Sequence, residues 1–165
     1  MESLEQKMVS YGAYHKNAKN KMLHWLGIPA VTFAIFIPMG WVRVTLPDGF
    51  LSISLATLFY IGILAYYFRL DWQIACGVLL GFTPILLLSD QVAQLPLGHS
   101  AAVFGGAFIV GWMIQLTGHY FEGRKPALTD NFSQVFNAPI FLITELAIAL
   151  GMRSDLRRAI EGERV

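Results

Sequence analysis

Apolar and polar positions follow one another in long blocks along this chain. A membrane-spanning helix needs about 20 predominantly apolar residues, with about 17 as a lower limit. Four blocks meet that requirement: residues 26–42, 50–68, 72–88 and 101–118. The stretches between them contain proline, glycine or charged residues and are predicted to be loops, at residues 47–49, 69–71 and 89–98. The pattern predicts an all-α fold, an integral membrane helical bundle of about four transmembrane helices that forms one domain over residues 1–165.

A fifth apolar run, residues 138–152, is shorter than a full span and contains Glu145. A carboxylate is costly where it faces lipid, so this run is predicted to form a short interfacial or re-entrant helix. Small residues four apart, such as Gly77 and Gly81 or Ala107 and Gly111, predict close approach of helix backbones.

Composition agrees with a membrane protein. The 165 residues are 55% hydrophobic and only 14% charged, whereas soluble domains have about a quarter charged residues. The formal net charge of +1 gives no basic surplus, which argues against nucleic-acid binding. A lone cysteine, Cys76, excludes a disulfide within the chain. The first 21 residues lack the layout of a signal peptide, so we expect them to remain in the mature protein.

Lysine and arginine positions predict the orientation, because basic residues that flank spans tend to stay cytoplasmic. They concentrate in the N-terminal tail, at Arg124 and Lys125, and in the C-terminal tail after residue 152. Four spans place all three regions on the cytoplasmic side and residues 89–100 outside. Arg43, at the outer end of the first span, is the one exception.

The predicted topology brings three of the four histidines to one membrane face. His15, His24 and His119 lie at its cytoplasmic side, whereas His99 lies in the opposite loop, about 30 Å of hydrocarbon away. Imidazole is the commonest metal ligand among side chains and is suited to iron. We therefore predict that the first three histidines bind a metal ion and that His99 does not. The alternative is that they only hydrogen-bond headgroups or backbone.

Each of these histidines has a polar residue four positions earlier: Tyr11 before His15, Asn20 before His24 and Gln115 before His119. On a helix this spacing places the partner beside the imidazole, where it can orient the ring toward a metal. Tyr11, Asn20 and Gln115 are therefore predicted to support the cofactor site.

Glu122 follows His119 by three residues, so its carboxylate is a further candidate for the site. Three roles are open: a metal ligand, a partner that orients an imidazole, or an ion pair with Arg124 or Lys125. We include Glu122 among the predicted catalytic residues with the three histidines.

The spacing of His15 and His24 requires a break in the chain. They are nine residues apart, which on one straight helix would place them on opposite faces. Asn17 and Asn20, poor helix formers, lie between them, so we predict a turn that folds His15 back toward His24. Without such a turn the site would need two metals.

The two histidine-containing blocks resemble the iron-dependent 2-hydroxy fatty acid dioxygenases, a family of small membrane proteins. The first block, residues 11–29, reads YGAYHKNAKNKMLHWLGIP; the second, residues 111–145, begins GWMIQLTGHYFEGRKPALTDN and continues through Pro139 to Glu145. The resemblance implies an Fe²⁺ cofactor held by His15, His24 and His119, with no counterpart for His99. It also implies α-oxidation, in which a 2-hydroxy fatty acid and O₂ give a fatty acid one carbon shorter. The site would face the cytoplasm, in a bacterial inner membrane or the endoplasmic reticulum membrane, with the acyl chain among the spans and membrane lipids.

Three other classes of protein compete with this interpretation. Membrane di-iron hydroxylases and desaturases use about eight histidines, and this chain has four. A haem protein needs two histidines as axial ligands, which His24 and His119 could supply. A non-catalytic metal- or lipid-binding scaffold would use the histidines only as interfacial anchors.

Overall fold

The computed structural model describes residues 2–45, 47 and 52–162. Residues 48–50, which belong to a predicted loop and to the start of a predicted span, lie outside the described residues. The described elements, in chain order, are α1 (Leu4–Gly12), α2 (Ala18–Trp41), β1 (Arg43–Thr45), β2 (Ser52–Ser54), α3 (Leu55–Leu70), α4 (Trp72–Ala93), α5 (Leu97–Glu122), α6 (Asn137–Ala149) and α7 (Ser154–Glu161). Two short 3-10 helices, Ala127–Thr129 and Phe132–Phe136, connect α5 to α6. The all-α prediction is confirmed.

Helices α2 to α5 correspond to the four predicted spans and run alternately up and down through the bundle. Two small residues allow α2 and α5 to pack closely. A Cβ atom on Gly27 of α2 would lie 2.7 Å from Cγ of Gln115, and one on Gly111 of α5 would lie 2.9 Å from Cγ2 of Val31. The prediction for Gly77 is also confirmed, since a Cβ there would overlap Ile143 of α6.

Most helices extend beyond the apolar blocks that predicted them. Helix α2 begins at Ala18, α4 continues to Ala93 and α5 starts at Leu97, so the predicted loop at 89–98 shrinks to residues 94–96. Hydropathy marks only the part of a helix that lies in hydrocarbon, whereas backbone hydrogen bonds continue into the polar interface. Helix α3 corrects the prediction of a span over residues 50–68, because residues 52–54 form strand β2 and the helix begins only at Leu55. With 16 residues it is the shortest of the four helices and lies just below the length of about 17 residues taken for a span.

Two features at the end of the bundle opposite the histidine cluster were not predicted. Strands β1 and β2 form a small antiparallel ladder that pairs Arg43 with Ser54. The guanidinium of Arg43 also forms an ion pair of 2.7 Å with Asp90 near the end of α4. That partner explains why a basic residue is present at this end of the first span.

Helix α6 is tied on both sides to residues near the α3–α4 turn, and the placement of residues 138–152 relative to the membrane stays a prediction. Residues Phe132–Ala149 together have the length and hydropathy of a span, but α6 itself has 13 residues, about 20 Å of rise. Just before α6, the carbonyl of Phe136 accepts a 2.6 Å hydrogen bond from Tyr67, near the end of α3. Beyond it, Arg153 pairs at 2.6 Å with Asp71 at the α3–α4 turn. Both ends of α6 therefore lie at the same end of the bundle.

Helix α1 packs along this end of the bundle and leads into the first histidine. A reciprocal pair of hydrogen bonds between Ser3 and Gln6 caps its N-terminus. Leu4, Met8 and Tyr11, at helical spacing, are buried on one face. This anchored helix fixes the point at which the chain turns toward His15.

The orientation can be checked with single-cysteine variants in which Cys76 is replaced by alanine. Gly98→Cys, exposed at the start of α5, and Ser154→Cys, exposed at the start of α7, should react with an impermeant maleimide from opposite sides of the membrane. Labelling of both positions from the same side would contradict four crossings.

Candidate metal centre

A turn between α1 and α2 brings His15 against His24. Helix α1 ends at Gly12 and α2 begins at Ala18, with the Asn17 side chain capping α2 by accepting a hydrogen bond from the Lys19 backbone N–H at 2.9 Å. The Nε2 atoms of His15 and His24 are 3.1 Å apart. The predicted break is confirmed, and two separate metal sites are not needed.

His119, from the last turns of α5, completes the cluster. Its ring centroid lies 5.1 Å from that of His15 and 4.9 Å from that of His24. One nitrogen from each ring can be chosen so that all three lie within 4.8 Å of one another. Since the three side chains come from three separate elements and are all buried, their convergence depends on the whole fold.

Backbone carbonyls fix the tautomers of two rings. Nδ1 of His15 donates to the carbonyl of Tyr11 at 2.8 Å, and Nδ1 of His24 donates to the carbonyl of Asn20 at 3.0 Å. A carbonyl only accepts, so the hydrogen is on Nδ1 and the Nε2 lone pair is free on each neutral ring. Burial lowers the pKa of His15 to about 4, which keeps its ring neutral at pH 7.

This arrangement suits a cation. Two free Nε2 lone pairs that face each other at 3.1 Å repel unless a positive charge lies against both. Nδ1 of His119 is buried and has no hydrogen-bond partner within the described part of the chain. Metal–imidazole bonds are about 2.0–2.1 Å long, which is compatible with both Nε2 atoms contacting one ion. The donor set therefore fits a divalent transition metal such as Fe²⁺.

Glu122 is close to the cluster but its carboxylate faces the start of α2. Its oxygens accept hydrogen bonds from the backbone N–H groups of Lys16 and Asn17, at 3.0 and 2.9 Å, and from the Asn20 side chain at 2.9 Å. A carboxylate at a helix N-terminus is also favoured by the helix dipole. Of the three roles considered for Glu122, these contacts favour a positioning role, since they tie the end of α5 to the turn that carries His15.

The other predicted supporting residues also lie at the cluster. The ring of Tyr11 stacks on His15, with centroids 4.2 Å apart and planes 11° from parallel. Gln115 lines the same small cavity as the three histidines, which has a volume of about 40 Å³. Tyr11 and Asn20 contact the rings through their backbone carbonyls, a contact that residue type does not reveal.

His99 lies away from the cluster, in the first turn of α5, where it is exposed. It is twenty residues before His119 on the same helix, about 30 Å of rise. The predicted separation of His99 from the other histidines is confirmed, although it belongs to a helix and not to a loop.

Two parts of the site were missed by sequence reasoning. Trp112 lines the histidine cavity, and its buried Nε1–H has no partner among the described residues. Trp112 precedes His119 by seven residues, two helical turns, and that spacing could have identified it. The second part is the segment after α5, residues 126–138, which closes one side of the cavity. No sequence pattern indicated that this segment folds over the histidines.

Several side-chain contacts hold residues 126–138 and α5 against the turn that contains His15. Arg124 donates to the carbonyl of Ala13 at 3.0 Å and lies over the ring of Tyr14, 3.7 Å from its centroid. The Tyr14 hydroxyl in turn donates to Asp130 at 2.7 Å. Lys21 forms an ion pair of 2.8 Å with Glu145 of α6. This partner offsets the cost of placing the Glu145 carboxylate within an apolar run.

The geometry argues against two of the competing classes. The ring centroids of His24 and His119 are only 4.9 Å apart, which leaves no space for a porphyrin plane between two axial imidazoles, so this arrangement does not suit haem. A di-iron centre needs more ligands than the one His15, His24 and His119 group found among the described residues.

Fold and site together define a helical membrane protein with three buried histidines grouped at one end of its bundle. The family model described as "2-hydroxy-palmitic acid dioxygenase Mpo1-like" matches residues 1–150. The 2-hydroxy-palmitic acid dioxygenase MPO1 of Saccharomyces cerevisiae is 30% identical over 163 residues, covering 96% of this chain and 87% of the yeast protein. The chain therefore belongs to the Mpo1-like family, as the two sequence blocks predicted. No solved structure matches it.

Proposed function

We propose that this protein is an Fe²⁺-dependent dioxygenase that shortens 2-hydroxy fatty acids by one carbon. The observation that carries the proposal is the group of three buried histidines, two of which present free Nε2 lone pairs to each other at 3.1 Å. Family membership supports the substrate class, because the yeast relative is named for 2-hydroxy-palmitic acid.

His15, His24 and His119 would hold the iron, which when bound supplies sites for the substrate oxygens and for O₂. The carbonyls of Tyr11 and Asn20 orient two of these rings and keep their Nδ1 hydrogens away from the ion. The buried Trp112 Nε1–H, on the cavity wall, is a free donor for a substrate oxygen. The contacts that close the turn over the cluster limit the entry of bulk water.

The overall reaction is balanced without an added reductant. R–CH(OH)–COOH and O₂ give R–COOH, CO₂ and H₂O, with the bond between the carboxyl carbon and C2 broken. The four electrons that reduce O₂ all come from the acid. This electron balance distinguishes the proposed reaction from hydroxylation and desaturation, because those reactions need electrons from an added reductant.

The proposed site faces the cytoplasm. The cluster lies at the end of the bundle that also contains Arg124, Lys125 and Arg153, and basic flanks tend to remain on that side. A 2-hydroxy fatty acid in the cytoplasmic leaflet could then present its carboxyl end at the level of the histidines.

The test is oxygen uptake by the purified protein in detergent, loaded with Fe²⁺ and given a 2-hydroxy fatty acid but no reductant. We expect one O₂ consumed per acid lost, and about one iron per chain by elemental analysis. A scaffold protein would purify without stoichiometric iron and consume no O₂. Oxygen uptake only with added reductant would indicate a different oxidase.

Glu122→Gln tests the positioning role of this carboxylate. The variant keeps the side-chain shape but weakens the hydrogen bonds to Lys16, Asn17 and Asn20. We expect iron affinity or turnover to fall by about 10–100-fold, the usual cost of losing a supporting partner. Complete loss of iron would instead make Glu122 a ligand, and unchanged iron and turnover would remove it from the site.

A further inference from the structure

A second, larger cavity lies beside the histidine cluster, farther into the membrane-spanning part of the bundle. Its volume is about 350 Å³, and α2, α3, α4 and the 3-10 helix Phe132–Phe136 contribute its walls. Phe36, on its α2 wall, is twelve residues beyond His24, about 18 Å along the helix. The cavity therefore extends from near the site toward the middle of the bundle.

The chemistry of this cavity is apolar. Its walls are mostly aromatic and aliphatic side chains, including Phe36, Ile63 and Phe82. The two tyrosine hydroxyls on its walls are already engaged: Tyr60 donates to the carbonyl of Val78 at 3.3 Å, and Tyr67 to that of Phe136 at 2.6 Å. An apolar ligand would thus leave these hydroxyls satisfied.

The two cavities share a wall. Val135 lines both of them. On α2, Val31 lines the histidine cavity and the next residue, Thr32, lines the apolar one. At the start of α6, Ala138 lines the histidine cavity and the next residue, Pro139, lines the apolar one. Val135 therefore forms part of the partition between the two cavities.

We propose that the apolar cavity holds the acyl chain of the 2-hydroxy acid whose carboxyl end lies at the histidines, with Val135 at the threshold between them. This inference rests on the proposed function and extends it to chain-length selection. The cavity volume of about 350 Å³ is roughly twelve times the volume of one liquid water, ~30 Å³, and a methylene is of similar size, so the cavity has room for roughly a dozen chain carbons.

The small size of the histidine cavity favours a free acid over a membrane phospholipid as the occupant. About 40 Å³ beside the three imidazoles suits a carboxylate with its neighbouring hydroxyl. A glycerophosphate headgroup is several times larger. A phospholipid tail in the apolar cavity would therefore have its headgroup excluded from the site.

Photo-crosslinking tests occupancy without turnover. Metal-free protein in nanodiscs would be irradiated with a sixteen-carbon 2-hydroxy acid bearing a diazirine at its terminal carbon, and adducts would be located by mass spectrometry. We expect adducts on cavity residues such as Ile63 and Phe82, removed by unlabelled 2-hydroxy acid. Adducts only on lipid-facing residues, or equal cavity labelling by a phospholipid with the same diazirine tail, would overturn the proposal.

Chain-length profiles provide the second test, with a matched pair of variants on α3. Ile63 lines the cavity, whereas Ile61 is 58% exposed on the outer surface of the bundle. Burial of each methylene should raise the parent's kcat/KM about 4-fold up to roughly a dozen carbons. Ile63→Trp should lower kcat/KM at least about 10-fold for a sixteen-carbon acid and by a smaller factor for an eight-carbon acid, because a shorter chain buries fewer methylenes in the cavity. Ile61→Trp should match the parent for both acids.

An unchanged profile in Ile63→Trp, or an equal loss in Ile61→Trp, would contradict the assignment. Crosslinking in the cavity with no turnover of any 2-hydroxy acid by the parent would leave an acyl-binding site and refute the proposed reaction. Turnover without crosslinking in the cavity would support the proposed reaction and refute the acyl-binding site.

Discussion

Replacing His15, His24 or His119 by alanine should abolish stoichiometric iron binding and remove turnover. Each ring provides one of three nitrogens that lie within 4.8 Å of one another. Losing one of three protein ligands should cost more than the roughly 10–100-fold in metal affinity that follows loss of a supporting partner. Iron per chain by elemental analysis and oxygen uptake would be measured together on each purified variant.

His99→Ala is the matched control, since His99 is exposed about 30 Å along α5 from His119. It should keep both iron and turnover. A thermal-unfolding readout separates ligand loss from misfolding, because Fe²⁺ should raise the Tm of the parent and of His99→Ala but not of the cluster variants. Loss of iron in His99→Ala, or full iron in any cluster variant, would refute the ligand set.

Gly118→Ala should disrupt the cluster although glycine has no side chain to lose. A Cβ at this position would overlap Oδ1 of Asn20 and lie 3.2 Å from Nδ1 of His24. To make room, α2 must move away from α5, which separates His24 from His119. Overpacking of this kind costs about 1–3 kcal/mol, and we expect iron affinity to fall by about 10–100-fold, measured by titration of the metal-free protein.

Gly106→Ala, on the same helix, is the control for this substitution. A Cβ there meets nothing within 4 Å, and alanine favours a helix by about 1 kcal/mol over glycine. Gly106→Ala should therefore bind iron like the parent and unfold at the same or a higher temperature. Iron affinity in Gly118→Ala equal to that of Gly106→Ala would show that the close α2–α5 contact does not position the site.

The spans and the identity of the clustered histidines could be predicted because both depend on strong local signals. Hydropathy located the cores of α2 to α5, and the basic flanks placed His15, His24 and His119 at one end. The nine-residue spacing of the first two histidines required the turn that the structure contains between α1 and α2. In each case the inference used only residue type and helical geometry.

What could not be predicted depends on backbone groups and long-range contacts. Every residue has a carbonyl, so residue type gave no sign that the carbonyls of Tyr11 and Asn20 would hold the two rings. The hydrogen bonds that Glu122 accepts from the backbone N–H groups of Lys16 and Asn17 join residues more than a hundred positions apart. Residues 126–138 are likewise held over the cavity by long-range contacts, such as those of Gln134 with Ser10 of α1 and of Phe136 with Tyr67 of α3, which no periodic pattern predicts.

The most direct test of the proposed function is the fate of the carboxyl carbon. The Fe²⁺-loaded protein would be given a sixteen-carbon 2-hydroxy acid with ¹³C at carbon 1, and the products would be identified by mass spectrometry. We predict an unlabelled fifteen-carbon acid and ¹³C-labelled CO₂ in equal amounts, with one O₂ consumed for each. A product that retains sixteen carbons, or no product from any 2-hydroxy acid, would contradict the dioxygenase and leave only a membrane bundle with a histidine cluster.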